Sequence, residues 1–251
     1  MNRLSINQRS FYYPAAFYVA VLLLVWLLSW LGGVAELAMS NSATVHSLVS
    51  AEGLRWAVRS ALPTIDAAPW GVIMLFISSV GLLTGCGMVK SVAKLLRGHR
   101  LALNERRAWL FALIAAVVYL LMLFVSTLSP WNLLLGVTGD FYVSPLMQGR
   151  IIIIFLAISL VASAYGFIYG NYRSFIDIAR SVGAAFSLYA PALLAVLPAT
   201  GIMPCVEFAG FLPLLHIDVA DVAVVSDLLY LLPFIYIMIV LRARQQKSAD
   251  D

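Results

Sequence analysis

Residues 108–139 read AWLFALIAAVVYLLMLFVSTLSPWNLLLGVTG, a stretch without a single charged side chain. An α-helix rises about 1.5 Å per residue, so roughly 20 apolar residues cross the ~30 Å hydrocarbon core of a bilayer. Four more uncharged runs that are long enough to span lie at 10–35, 67–89, 151–172 and 181–206. The pattern predicts repeated membrane crossings by helices, since a helix satisfies its own backbone hydrogen bonds within lipid.

The composition excludes an ordinary globular domain. Of the 251 residues, 63% are hydrophobic and 11% are charged, whereas globular domains carry about 25% charged residues. A chain of this length could not bury so much apolar surface in one core. We therefore predict an all-α, polytopic membrane protein, with residues 1–251 forming a single integral membrane domain in contact with the lipid bilayer.

The positions of the basic residues predict the topology. Six spans are predicted, at about 14–34, 69–89, 108–128, 151–170, 184–205 and 223–241. With the N-terminus in the cytoplasm, 13 of the 16 Lys and Arg residues fall in cytoplasmic segments, as the positive-inside rule expects. Both termini are thus predicted to be cytoplasmic, in a multi-pass protein of the plasma or inner membrane. The first apolar run is too long for a signal peptide and is expected to be an uncleaved span.

The outer loop is predicted to contain a helix at about 50–62. Ser50 can cap its start, Glu52 lies favourably in its first turn, and Pro63 is expected to end it. Its apolar side chains fall on one face: Leu54, Ala57, Val58, Ala61 and Leu62. Two placements stay open, a helix lying at the outer membrane interface and a connector helix packed on the bundle.

A basic run follows the second predicted span. Lys90, Lys94 and Arg97 recur at helical spacing within KSVAKLLRGHR, residues 90–100. Such a run is either a topology signal alone or an electrostatic contact with anionic lipid of the inner leaflet.

The last two predicted spans look irregular. Four helix-disrupting residues interrupt the fifth: Pro191, Pro198, Gly201 and Pro204. Pro233 interrupts the sixth, whose uncharged run covers only 228–241, so this span is either short or includes Asp227 near its outer end. Short, proline-interrupted segments form substrate sites in transporters. The alternative is an ordinary proline kink, with Ser226 or Asp227 capping the helix.

Motifs of membrane enzymes are absent from the sequence. It contains no Gly-x-Ser-Gly nucleophile, no His-Glu-x-x-His metal motif and no phosphate-binding loop. We therefore expect neither an enzyme nor a cofactor or metal site. The net charge of +4 is distributed by loop, so nucleic acid is not an expected partner.

Two long stretches resemble a known transporter family. VHSLVSAEGLRWAVRSALPTIDAAPWGVIMLFISSVGLLTGCG, Val45–Gly87, has the order of outer helix, proline-bearing linker and glycine-rich span. SPLMQGRIIIIFLAISLVASAYGFIYGNYRS, Ser144–Ser174, is a span ending in an aromatic–glycine pair before a polar loop. Both are similar to blocks of the AbgT, or p-aminobenzoyl-glutamate, transporter family, and NERRAW, Asn104–Trp109, resembles the charged start of the span before the later block. The chain resembles a shortened relative without recognisable re-entrant hairpins.

The resemblance implies a secondary carrier of p-aminobenzoyl-glutamate or related aromatic, anionic metabolites, assembled as a homodimer. The family's transport residues have no matching positions here. The polar residues at the inner and outer openings of the transport path are therefore the candidates for substrate binding. They are Asn171 and Arg173 on the inner side, and Glu207 and Asp227 on the outer side. The alternative is a non-transporting scaffold or accessory subunit derived from a carrier, which the missing hairpins and the absence of central charges favour.

Overall fold

The computed structural model describes residues 10–39, 46–98, 100–128, 144–214 and 219–250. Over these ranges the regular structure is entirely helical, with no β-strand. In chain order the α-helices are α1 Tyr13–Met39, α2 Ala51–Asp66, α3 Trp70–Gly85, α4 Met88–Leu96, α5 Leu103–Leu128, α6 Pro145–Gln148, α7 Arg150–Tyr169, α8 Phe175–Phe208, α9 Phe211–Leu214 and α10 Val219–Asp250. The predicted all-helical class is confirmed.

Most of the long helices qualify as membrane spans by length and hydropathy. Five do so individually: Ser10–Val34, Leu103–Thr127, Arg150–Tyr169, Phe175–Phe208 and Asp221–Ala243. Helices α2 and α3 meet the same criteria together, as one span broken at a bend or as a re-entrant loop. The described residues therefore hold five or six candidate crossings, against the six predicted.

The outward surfaces of these helices are apolar. On α5 the side chains of Leu113, Met122 and Phe124 are among many large hydrophobic groups that stay exposed. Water would make such a surface costly, at roughly 25 cal/mol for each Å² of apolar area. Acyl chains cover it without that cost, so the helices have the surface of a membrane-embedded protein.

The chain divides into two compact units, one formed by residues 1–69 and 189–251 and the other by residues 70–188. In unit one, α1, the C-terminal part of α8 and α10 share a core. Small residues on α8 such as Ala195 and Ala199 are buried there, which allows helices to approach closely. The Tyr18 hydroxyl donates a hydrogen bond to the Leu229 carbonyl at 2.8 Å, tying α1 to α10.

Unit two is built on α3, α5 and α7. Its core again uses small residues at the contacts, with Ala108, Ala112 and Ala162 fully or almost fully buried. The hydroxyls of Ser79 and Ser159 lie 3.2 Å apart and join α3 to α7. These serines therefore stabilise the packing of α3 against α7, as polar groups between membrane helices commonly do.

The outer helix α2 begins as predicted and ends later. The Ser50 hydroxyl accepts a hydrogen bond from the Gly53 amide at 3.0 Å, so the predicted cap is confirmed. The expectation that Pro63 ends the helix is wrong, because α2 continues to Asp66 with Pro63 inside it. The following Pro69 explains the actual end, since a residue before proline is disfavoured in the helical region.

The fifth predicted span is not interrupted. Helix α8 runs from Phe175 to Phe208 with Pro191, Pro198 and Pro204 inside it. Burial explains the tolerance, since Ala195, Val196 and Thr200 are almost fully enclosed and packing outweighs local helix propensity.

The proposed capping role of Ser226 or Asp227 is also wrong. Helix α10 starts at Val219, so both residues lie well inside it. The second predicted span, 69–89, ends early: α3 stops at Gly85, and Gly87 has a φ of 85° before α4 begins. Glycine adopts this left-handed backbone without strain.

Candidate functional site: an acidic cavity in unit one

A cavity of about 250 Å³ lies in unit one against α8 and α10. Helix α8 contributes Thr200, Met203, Pro204 and Glu207, and helix α10 contributes Val222, Ala223, Ser226, Asp227 and Tyr230, with Ala67 completing the lining. Residues three and four apart share a face of a helix. Each helix therefore presents one continuous face to the cavity, and polar groups occur on both.

The Ser and Thr hydroxyls that line this cavity form hydrogen bonds within their own helices. Thr200 Oγ1 donates to a carbonyl of α8 at 2.8 Å, and Ser226 Oγ donates to a carbonyl of α10 at 2.9 Å. The two carboxylates differ from them. Glu207 and Asp227 are exposed, and neither takes part in the ion pairs found in the described part of the chain.

The lining sets what the cavity can bind. Glu207 and Asp227 give it two formal negative charges, and the residues that line it include no Lys, Arg or His. Carboxylates that face each other across a small space favour a bound cation or a shared proton. Tyr230 adds an aromatic ring, which contacts cations and flat apolar groups alike. An anion would be repelled unless a cation or proton entered with it.

The end of α8 beside Glu207 is held by neighbouring elements of unit one. The Phe208 ring stacks on Trp56 of α2 with centroids 4.4 Å apart. The His46 amide donates to the Ala209 carbonyl at 3.3 Å. These contacts hold the end of α8 that carries Glu207.

A buried serine of α1 holds the segment before α2. Ser29 Oγ donates to the His46 carbonyl at 2.8 Å and accepts from the Leu48 amide at 2.7 Å. Both Ser29 and Leu48 are fully buried. Sequence reasoning did not single out Ser29, although a hydroxyl inside the aliphatic run of the first span was the signal that could have found it.

The predicted site residues fall into two groups. Glu207 and Asp227 are brought together in the cavity. Asn171 and Arg173 lie in unit two, in the connection between α7 and α8. Asn171 Nδ2 donates to the Cys86 carbonyl at 2.9 Å and reaches the Gly85 carbonyl at 3.3 Å, so this amide supports the end of α3. The Arg173 side chain is exposed, and substrate contact by either residue stays a prediction.

The polar groups of unit two surround a tight packing cluster, here called the glycine–tyrosine seam and consisting of Gly85, Cys86, Gly166 and Tyr172. A Cβ atom at Gly166 would overlap the Tyr172 ring, and one at Gly85 would overlap Ser181. Tyr172 Oη donates to the Leu82 carbonyl at 3.0 Å. The seam leaves no room for a ligand and is a structural feature.

Two further contacts join α4 to α7 and α5 within unit two. Ser91 Oγ and Tyr165 Oη lie 2.6 Å apart, and both residues are buried. Lys94 Nζ donates to Glu105 Oε1 at 2.7 Å, which keeps the pKa of Lys94 above its usual value because the hydrogen bond and the negative charge favour the protonated amine. Glu105 Oε2 also accepts from the Ala102 amide at 3.0 Å, at the start of α5.

Among the residues that the structure describes, no group of three or more His, Cys, Asp or Glu side chains could hold a metal ion. His99 and His216 lie outside the described residues. The chain matches no family model, no curated protein and no solved structure.

Proposed function

We propose that the protein is a multi-pass carrier of the plasma or inner membrane, crossing it six times with both termini in the cytoplasm. In this proposal α3 makes the second crossing, and α2 lies at the outer interface before it. The hydropathy of the helices and the concentration of basic residues in alternate connections support the arrangement. The apolar side chains of Leu54, Val58 and Leu62 on α2 are exposed, which favours the interfacial placement of this helix over packing on the bundle.

The acidic cavity of unit one carries the functional proposal. Ionisable residues within membrane segments are expensive, and as a default they indicate a pathway or a binding site. Glu207 and Asp227 share one small cavity with a tyrosine, without an ion-pair partner in the described residues. We infer that this pair binds the proton or cation that drives transport.

The proposed substrate class rests on the resemblance to the AbgT family and on the negative charge of the cavity. A carrier of p-aminobenzoyl-glutamate or a related aromatic anion must offset the repulsion between its substrate and two carboxylates. Binding of a cation or proton at Glu207 and Asp227 would remove that repulsion. It would also couple transport of the substrate to movement of the cation or proton across the membrane. Tyr230 would then offer its ring to the aromatic part of the substrate.

Uptake of labelled p-aminobenzoyl-glutamate into expressing cells tests the proposal. Wild-type cells should accumulate the label above empty-vector cells, and a protonophore or removal of sodium should abolish the difference. Glu207→Gln combined with Asp227→Asn should eliminate uptake. Asp221→Asn is the matched control, since Asp221 is exposed on the same helix and does not line the cavity; it should transport normally.

The second candidate is a non-transporting scaffold or accessory subunit. The observation that favours it is the state of unit two, where Ser91, Tyr165, Glu105, Asn171 and Tyr172 all have protein partners. Uptake equal to that of empty-vector cells, with the protein verified in the membrane, would exclude the carrier. Stoichiometric co-purification with a different membrane protein would then support the scaffold, whereas a homodimer alone would not.

A further inference from the structure

Helix α4, Met88–Leu96, has two chemically distinct faces. Lys90, Lys94 and Arg97 project from one side, because their spacing of four and three residues matches the helical repeat. Val89 and Leu96, seven residues apart, share a neighbouring side of the helix and are exposed, as is Leu95. Nine residues extend only about 13 Å at helical rise, so this helix is too short to cross a bilayer.

The polar contacts of α4 determine which side faces the protein. Ser91 is 1% exposed and pairs with Tyr165, and Lys94 pairs with Glu105. With these two contacts made, the helix cannot rotate to bury its apolar side chains against α5 and α7. Leu96 stays 83% exposed. The rest of the described chain leaves it uncovered.

The charge around α4 is strongly positive and only partly neutralised. Residues 88–107 include six Lys or Arg and one Glu. That glutamate is paired with Lys94, while the other five basic side chains are exposed and make no ion pair in the described part of the chain: Lys90, Arg97, Arg100, Arg106 and Arg107. Residues 171–183 differ, since they include two Arg and one Asp, and Arg180 pairs with Asp177.

We propose that α4 is an interfacial helix that binds anionic phospholipid. Val89 and Leu96 insert among the acyl chains, while Lys90, Arg97 and the basic residues after them contact the headgroup phosphates. The ligand must supply apolar chains beside negative charge, and an anionic phospholipid carries both in one molecule. The contacts of Ser91 and Lys94 hold the helix in the orientation that this binding requires.

Native mass spectrometry of the protein with phosphatidylglycerol and phosphatidylcholine of identical chains tests the headgroup contact. The wild type should retain phosphatidylglycerol preferentially. The variant Lys90→Gln with Arg97→Gln should reduce the retention ratio by an order of magnitude, since each basic residue near an anionic surface contributes about a factor of five. High salt should weaken the preference in the wild type, because ions screen it.

The matched control is Arg173→Gln with Arg180→Gln, which removes the same charge from two exposed arginines around the start of α8, where Asp177 offsets part of it. It should leave the ratio unchanged. An equal loss in both double variants, or no preference in the wild type, would overturn the proposal.

A spin label at Leu96→Cys tests the insertion. Both native cysteines are buried, so the unsubstituted protein serves as the labelling blank. In vesicles with phosphatidylglycerol the label should be accessible to oxygen and shielded from a water-soluble nickel reagent. A label fully accessible to the nickel reagent would show that α4 does not enter the bilayer and would overturn the insertion.

Discussion

The two carboxylates of unit one's cavity differ from the polar residues around unit two's glycine–tyrosine seam in whether they have a partner within the protein. Around the seam, Asn171, Tyr172 and the Ser91–Tyr165 pair all make hydrogen bonds within the protein. In the cavity, Glu207 and Asp227 make no ion pair among the described residues. The seam is expected to matter for stability and the cavity for function.

The free-energy cost of burying a polar group without a partner explains why this difference is informative. A buried polar group without a partner costs about 1–3 kcal/mol, so paired groups are explained by folding alone. Exposed carboxylates in a cavity among apolar helices gain nothing from folding. Binding of a cation or proton, as proposed above, would give them a role.

The largest stability effect is expected at Gly166. In Gly166→Ala the new Cβ would overlap the Tyr172 ring, which is held by its bond to the Leu82 carbonyl. Because the ring is held in place, the cost should reach or exceed the upper end of the about 1–3 kcal/mol that overpacking incurs. Scanning fluorimetry of the purified protein should show a clearly lowered unfolding midpoint.

Gly183→Ala is the control for that substitution. Gly183 is also helical and in unit two, but no atom lies within 4 Å of a Cβ at this position. Alanine is the better helix former, so the midpoint should stay the same or rise. If Gly166→Ala were as stable as Gly183→Ala, the seam would not be the packed structural element described here.

A smaller effect is expected from the Ser91–Tyr165 pair. Ser91→Ala leaves the buried Tyr165 hydroxyl without its 2.6 Å partner and should cost about 1–3 kcal/mol. Tyr165→Phe combined with Ser91→Ala removes both polar groups and should recover part of the loss. Unfolding midpoints of the two single variants and the double variant provide the cycle. If the stability losses of the two single variants simply add in the double variant, the two hydroxyls are not energetically coupled.

The sequence predicted the long apolar helices because their signal is physical and local. Charged residues are costly in lipid, so the uncharged run at 108–128 predicts a helix that the structure extends to Leu103–Leu128. Helix ends were harder to predict. Pro63 and the prolines of α8 suggested breaks, but packing of neighbouring residues decides whether a proline ends a helix, and packing cannot be read from one segment.

The candidate site was predictable only in part. Glu207 and Asp227 were predicted as candidate binding residues because they are acidic and lie beside apolar runs. The structure brings both into one cavity. Asn171 had the same sequence signal, yet its amide bonds to backbone carbonyls at the end of α3. Sequence identifies polar groups near a membrane, whereas the presence of an internal partner depends on contacts between distant segments.

The smallest stability effect is expected in the cavity itself. Glu207→Gln with Asp227→Asn removes two exposed charges without removing an ion pair or leaving a buried atom unpaired. Surface changes of this type stay within about 0.5 kcal/mol, and relief of repulsion between the carboxylates would make the change a slight gain. The unfolding midpoint should match that of Asp221→Asn. A large loss of stability would mean that the two carboxylates hold the fold together, and the contrast between the two units would then lose its functional meaning.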